Sequence, residues 1–413
     1  MLMSLSPLRR LIIPGILIIL GLTMREQVVE LKVVYRQLLE WLPCITLSSA
    51  LALCTYYGRA RSFVAAFIML AVYGLIHGRL QTSLFDSQAL LVYSFISIAL
   101  PVTLFWLFLL QERGLLNRYG VLMVSIVPVQ LIAGYWALNY FPEKELLQFI
   151  DEWLPIRPYN GYILSLTSSL CFVTAFFISL LCLLRRDSEY AAVTAAMLSF
   201  GFITLAFFDK PAISIVMFAS AGVSLIISML GSSYDMAFRD ELTGLLGRRA
   251  LNDRLRGLGR RYVIAMMDVD HFKKFNDKYG HDVGDDVLKM VGKKISAVRG
   301  GGIAYRYGGE EFCILFPGKD IKHCKPYLED VRNAIENYRL SLRDDKHRAS
   351  TSEEVSERRG RRSKSRNKYV SVTISIGMAE RNGKFGSVDE VLKAADSALY
   401  KAKRAGRNCL AVY

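Results

Sequence analysis

Ile303-Ala-Tyr-Arg-Tyr307 and Phe312-Cys-Ile-Leu-Phe316 are two apolar runs with only Gly308-Gly309-Glu310-Glu311 between them. A connection this short joins antiparallel strands as a tight hairpin, and here its tip is acidic. Upstream, Tyr262-Val-Ile-Ala-Met-Met267 reads as a buried strand that delivers Asp268, Val269 and Asp270 to its carboxyl end. Between strand and hairpin, Val287, Leu288, Val291, Ile295 and Val298 recur at helical spacing. Beyond the hairpin, Leu328, Val331 and Ile335 mark a helix, and Val370, Val372, Ile374 and Ile376 alternate as a strand. Val388, Leu392, Ala395 and Leu399 begin a last helix. Arg248, Arg249, Leu251 and Leu255 predict a short helix ahead of the first strand, after the lead-in Asp240–Leu245. The order predicts an α+β domain with a mostly antiparallel sheet and helices on one face.

The rest of the chain has a different character. Residues 1–230 hold 15 Lys+Arg and 12 Asp+Glu, whereas residues 231–413 hold 37 and 25, a net of +12. So few charges over 230 residues cannot cover a water-facing surface. Eight apolar stretches, 11–24, 41–57, 63–78, 89–110, 119–141, 161–184, 190–208 and 211–230, predict an all-α polytopic membrane domain, with six or seven spans as the alternatives. Arg9, Arg10, Arg59, Arg61, Arg113, Arg118, Arg185 and Arg186 fall in short segments on one side, which favours a cytoplasmic N-terminus. Eight spans then return residue 231 onward to the cytoplasm. Pro101 and Pro128 lie within spans, and no Asp, Glu, Lys or Arg does so in the best-defined ones. A sensory or anchoring domain is therefore expected rather than a carrier. The seven cysteines lack metal-ligand or disulfide patterning. Residues 341–368 have no apolar periodicity, and Arg358–Lys368 carries seven basic residues in eleven. A solvated insertion is expected there, with anionic lipid as the sharper alternative and no nucleic-acid binding.

The chemistry lies in the acidic tip. Asp268 at a strand end and Glu310 at a hairpin tip converge if their strands are neighbours, and facing carboxylates repel unless a cation sits between them. Mg²⁺ suits such a site, with Mn²⁺ as the other candidate, because triphosphate oxygens complete its shell. Lys273 and the backbone N–H groups after Asp270 can hold phosphate. Asn276 and Asp285 can read a guanine edge, and Lys403 and Arg407, four apart, can clamp phosphate.

These segments together resemble the GGDEF family of diguanylate cyclases, similar in fold to ferredoxin-like adenylyl-cyclase and polymerase palm domains. The matching stretches are DELTGLLGRR, DVDHFKKFNDKYGHDVGDDVL, RYGGEEF, VTISIG and ALYKAKRAGRN, spread over residues 239–413. The resemblance implies condensation of two GTP into cyclic di-GMP with release of two pyrophosphates, in a homodimer whose two domains each present one GTP. It implies Asp268, the Val269 carbonyl and Glu310 as metal ligands, with Glu310 also accepting the 3′-hydroxyl proton. Glu311 is implied to contact Lys273 or support the metal, Phe272 and His281 to line the nucleoside, and Gly308-Gly309 to leave room for α-phosphate and ribose. It further implies a bacterial inner-membrane location and effector proteins that bind cyclic di-GMP.

Two departures matter. Family members under product inhibition carry Arg-x-x-Asp where this chain has Arg299-Gly300-Gly301-Gly302, so a weak or lost inhibitory site is expected at the residual Arg299. Gly247 replaces the usual Asn of the lead-in, which leaves open how that turn is fixed. A non-catalytic nucleotide-binding module and a regulated transporter are the competing readings. A phosphodiesterase is not expected, since no further domain follows Tyr413.

Overall fold

The long apolar runs of the first half fold as helices. The computed structural model describes residues 6–84, 86–156, 159–186, 188–259, 261–342, 368–381 and 385–413. It divides into two compact units, Met1–Ser233 and Tyr234–Tyr413. In the first unit, a 3₁₀ turn (Ser6–Leu11) leads into α1 (Ile12–Glu30), α2 (Val33–Glu40), α3 (Leu42–Tyr56), α4 (Ala60–Arg79) and α5 (Ser87–Leu109). There follow α6 (Arg118–Tyr140), α7 (Glu143–Trp153), α8 (Leu166–Arg186), α9 (Glu189–Ala206) and α10 (Ile213–Phe238). Among the described residues, eight helical stretches are long and apolar enough to cross a bilayer, one for each expected stretch. The stretch expected to be short, 11–24, extends to Leu8–Glu30, and the second candidate is built from α2 and α3 in sequence.

Local chemistry sets several helix starts. Asp86 accepts from the Ala89 N–H and opens α5, Asn117 accepts from Tyr119 and Gly120 and opens α6, and Ser188 accepts from Ala191 and opens α9. Glu112 accepts from the backbone N–H groups of Ala60 and Arg61, both at 3.0 Å, and so caps α4 from another segment. Arg59 donates to the Tyr190 hydroxyl (2.6 Å) and to Ser232 Oγ (3.0 Å). The ionisable groups thus gather at helix ends. Among the described residues, the buried polar residues of this unit are uncharged: Ser and Thr, with Tyr73 and Tyr93, whose hydroxyls donate to the Glu40 and Leu205 carbonyls. α9 is the most enclosed helix, whereas α1 and α6 leave most of their apolar side chains uncovered.

The second unit is built on a six-stranded sheet. Its elements after α10 are β1 (Leu246–Gly247), α11 (Arg248–Arg256), β2 (Tyr262–Val269), α12 (Phe272–Tyr279), α13 (His281–Ser296), β3 (Ile303–Gly308), β4 (Glu311–Pro317) and α14 (Ile321–Glu336). They continue as β5 (Leu340–Leu342), β6 (Lys368–Val370), β7 (Ile374–Arg381), α15 (Val388–Arg404) and β8 (Leu410–Val412). The strand order is β1-β3-β4-β2-β7-β8. The four central strands pair antiparallel, and the edge strands β1 and β8 pair parallel, so the sheet is mixed.

Helices cover both faces of this sheet, which corrects the expectation of one. Val263, Ala265, Met267 and Val269 of β2 pack with α13 and α14. The alternate residues Tyr262, Ile264 and Met266 pack with Leu251 and Leu255 of α11 and with Val391, Ala395 and Leu399 of α15. A strand enclosed on both faces reads as a continuous apolar run rather than an alternating one, which is the pattern of 262–267. A second correction concerns the expected strand through Val370–Ile376. Residues 371–373 break it, and β6 pairs with β5 in a separate two-stranded ribbon, Leu340 facing Val370 and Leu342 facing Lys368. The ends of the expected insertion 341–368 are therefore strand, and its basic run 358–367 lies outside the described residues.

Candidate active site at the carboxyl end of the central strand

β2 ends where three of its neighbours can reach it. Asp268 faces Glu311 across β4 and Ser375 across β7. The Val269 N–H donates to the Glu310 carbonyl at 3.3 Å, which draws the hairpin tip over the strand end. Glu310 sits between β3 and β4, after a register shift at Arg306/Gly308 and a left-handed Gly309 (φ 45°). The tip is gripped by Arg306, whose Nε and Nη2 donate to the Gly309 carbonyl at 3.1 and 2.7 Å. Nη1 of the same guanidinium donates to Asp240 Oδ1 at 2.7 Å. Asp240 in turn accepts from the Thr243 N–H (2.8 Å) and hydroxyl (2.7 Å). Burial works to raise the Asp240 carboxyl, and the bonds from Thr243 and Arg306 overcome it and hold the carboxyl below its ordinary range. The lead-in turn is therefore fixed by Asp240, Thr243 and Arg306, with no need for a side chain at Gly247.

The Arg306–Asp240 pair is largely enclosed, its side chains 13% and 24% exposed. Removing Arg306 would strand the Asp240 carboxylate and free the tip. Arg306→Ala should cost about 2 kcal/mol, between the values for partly exposed and fully buried pairs, and lower turnover with it. Chemical denaturation followed in the near-UV reads the first effect.

Three carboxylates crowd the strand end. Asp268, 8% exposed, is met by Lys403 Nζ at 2.8 Å from Oδ1. Even so its carboxyl lies above the ordinary range, because burial and the neighbouring Asp270 outweigh the help from Lys403 and Arg407. Glu310 is raised by burial, then by Asp268 and Glu311, with Lys403 opposing. Glu311 is raised by burial, then by Asp268 and Asp396, with Lys403 and Arg248 opposing. Its nearby cations are thus Lys403 and Arg248, and Lys273 forms no ion pair among the described residues.

Such a site has a charge deficit that a cation relieves. Its donors are all oxygen, which suits a hard divalent ion: the Asp268 carboxylate, the Val269 carbonyl and the Glu310 carboxylate. Among the described residues, no three His, Cys, Asp or Glu side chains form a complete cage. Hard divalent ions complete their shells with water and phosphate oxygens.

The remaining sequence candidates line α12, α13 and the end of α15. His271 is left-handed (φ 57°) and starts α12. Phe272 follows, 7% exposed and part of the core, while Lys273 on the same turn is exposed. Asn276 Oδ1 is buried with no hydrogen-bond partner. A Cβ on Gly284 would come within 1.9 Å of it, so the glycine makes that amide's position possible. His281 and Asp285 stand exposed on the first turns of α13. Gly308 and Gly309 are exposed, and a Cβ added at either would meet nothing within 4 Å. Arg407 lies beyond the last turn of α15 rather than on it.

Arg299 is apart from this group. It pairs loosely with Asp330 of α14 at 3.4 Å, both side chains exposed. At Gly302, where an inhibitory-site Asp would stand, an added Cβ would press on Phe316, Val298 and Ile314 at 2.8–3.0 Å.

Residues 237–354 and 346–409 match the family described as diguanylate cyclase, GGDEF domain. The second unit thus carries a GGDEF domain. Diguanylate cyclase VdcA of Vibrio cholerae is 34% identical over 194 residues, 46% of this chain and 51% of VdcA. Response regulator PleD of Caulobacter vibrioides is 31% identical over 189 residues, 44% of this chain and 37% of PleD. This chain thus spans about half or less of these curated relatives. The crystal structure of the GGDEF domain of DgcB from Caulobacter crescentus, in complex with c-di-GMP, is 33% identical, covering 43% of this chain and 93% of that one, with a TM-score of 0.35.

Proposed function

We propose that this chain is a membrane-bound diguanylate cyclase that condenses two GTP into cyclic di-GMP and two pyrophosphates. The observation that supports this most is the strand-end cluster, in which Asp268, Glu310 and Glu311 all sit above their ordinary carboxyl range beside Lys403. Asp268, the Val269 carbonyl and Glu310 would hold Mg²⁺ or Mn²⁺, which when bound neutralises charge gathering on the phosphates. Lys403 and Arg407 bind the triphosphate. Asn276 and Asp285 read the guanine edge, Phe272 and His281 flank the nucleoside, and Gly308 and Gly309 admit the α-phosphate and ribose. Lys273 lies near the phosphates on α12, and Glu311 supports the cluster.

The 3′-oxygen of one GTP forms a bond to the α-phosphorus of the other, and the bond from that phosphorus to the bridging oxygen breaks, releasing pyrophosphate. Glu310 receives the hydroxyl proton, a role suited to a carboxylate whose proton affinity is raised. The same step in the opposite sense closes the ring, so two copies must face one another as a homodimer. With Gly302 standing where the inhibitory-site Asp would be, Arg299 alone leaves product inhibition weak.

Residues 1–230 would serve as the membrane domain. Ile12, Ile16, Ile19, Val121, Leu122 and Ile132 keep over half their surface uncovered, and lipid is the solvent that suits them. With the N-terminus and the catalytic domain in the cytoplasm of a bacterial inner membrane, product reaches cytoplasmic effector proteins.

The full-length protein purified in detergent should form cyclic di-GMP from GTP and Mg²⁺. Failure of a concentrated, dimeric preparation to do so would sink the proposal. Titrating cyclic di-GMP into the same assay should leave the initial rate nearly flat; a steep fall would refute the reading of Arg299.

A further inference from the structure

Asp270, one residue beyond β2, is a charge the scheme above does not use. It is 7% exposed, and its carboxylate is filled from within the protein. Oδ1 accepts from Ser375 Oγ at 2.6 Å, and Oδ2 accepts from Thr373 Oγ1 at 2.7 Å and from the Asn408 N–H at 3.0 Å. Its own N–H donates to the Thr373 carbonyl at 2.9 Å. Three of roughly four acceptor positions on the carboxylate are thus occupied by neutral donors. A metal ligand would keep them for the ion.

The bond to Asn408 is the informative one. α15 stops at Arg404, and the chain then turns through Gly406, Arg407 and Asn408 with φ of 110°, 66° and 44°. Two successive non-glycine residues in the left-handed region are costly, and they persist only where the surroundings fix them. Asn408 is fixed from three sides: Asp270 takes its N–H, Arg332 Nη1 donates to its Oδ1 at 2.8 Å, and its Nδ2 donates to Glu336 at 2.7 Å. The Arg407 N–H closes the turn onto the Ala402 carbonyl at 3.1 Å. The residue displayed by this clamped turn is Arg407.

We propose that Asp270 is a positioning residue: through the Asn408 N–H it locks the left-handed Arg407 turn and aims that guanidinium at the triphosphate. What Arg407 meets rests on the nucleotide reading above; the clamp does not. The pair Asp268-Val-Asp270 therefore divides its labour, with the first carboxylate facing the metal and the second facing the protein.

Asp270→Asn in the full-length protein keeps the shape and replaces an acceptor by a donor. Hydrogen exchange of the 405–409 amides should speed up by about tenfold or more, as expected for loss of a charge-assisted bond. Affinity for 3′-deoxy-GTP, which lacks the attacking hydroxyl, should fall by about tenfold while the Mg²⁺ dependence of binding stays put. In combination with Arg407→Ala, the Asn variant should add little further loss, because both act through one guanidinium. Unchanged exchange, an additive double variant, or a shifted Mg²⁺ dependence would each overturn the assignment. Should Asp270→Asn fold poorly, Arg332→Ala loosens the same turn from α14 and should reproduce the weaker binding; normal affinity there counts against the clamp. If the wild-type protein bound no nucleotide, the cyclase reading would fail, and the exchange measurement would still decide the clamp.

Discussion

Glu310→Gln should cut cyclic di-GMP formation by about 10³-fold or more, since on the proposed reading it removes a metal ligand and a proton acceptor in one change. The same change should make the metal-free protein more stable at neutral pH. Burial, Asp268 and Glu311 raise the folded-state pKa of Glu310, so ionising it is harder in the fold than in the unfolded chain. The sign follows directly. Any stability contributed by its protonated form is present below the unfolded carboxyl range and is lost as pH rises through the folded value. Thermal melts without metal should then place the Gln variant above wild type near pH 7.5, with the gap closing as pH falls into the carboxyl range. Adding Mg²⁺ and 3′-deoxy-GTP should stabilise wild type and shift the variant much less. A variant that keeps turnover, or one less stable than wild type when metal-free, would contradict the role given to this carboxylate. A site that trades stability for chemistry is the expected behaviour of clustered like charges.

Much of this site is legible in the sequence because its parts are local. The acidic tip between two short β runs makes the hairpin, and the β2 run ends on Asp268, so neighbouring strands suffice to bring the two together. What the sequence conceals are contacts between distant segments. Arg306 and Asp240 are 66 residues apart, and Asp270 and Asn408 are 138 apart, so no spacing rule connects them. The cations beside Glu311 are hidden for a related reason. Lys273 is set on an exposed turn of α12, while Lys403 arrives at the strand end from α15. The two-faced sheet had a visible sign in the unbroken apolar run 262–267. The parallel edge strands had none, because β1 and β8 are two and three residues long. In the first unit, the apolar stretches indicate helices well but not their ends, which depend on caps such as Glu112 that lie in other segments.

Gly377→Ala should be the most damaging single methyl in the second unit. Gly377 lies in β7, between Met266 of β2 and Ala411 of β8, directly beneath α15. A Cβ there would fall 1.9 Å from Leu399 N, 2.3 Å from the Ala395 carbonyl oxygen and 2.5 Å from Leu399 Cα. All three are helix backbone, so no side-chain rotation can make room and α15 itself must lift. That helix buries Val391, Ala394, Ala395, Ala398, Leu399 and Ala402, and it carries Lys403. Overpacking a tight core costs about 1–3 kcal/mol where side chains can adjust, and the upper end or beyond is expected where they cannot. Turnover should fall as well, because Lys403 and the Arg407 turn move with the helix. Gly308→Ala makes the contrast. Nothing lies within 4 Å of a Cβ at Gly308, so the fold should tolerate the methyl. Only the approach of α-phosphate and ribose should suffer. The pair therefore separates two uses of glycine on one sheet: at 377 loss of stability and activity together, at 308 loss of activity alone. Melting of Gly377→Ala alongside wild type would show that α15 is not held as closely to β7 as these distances require.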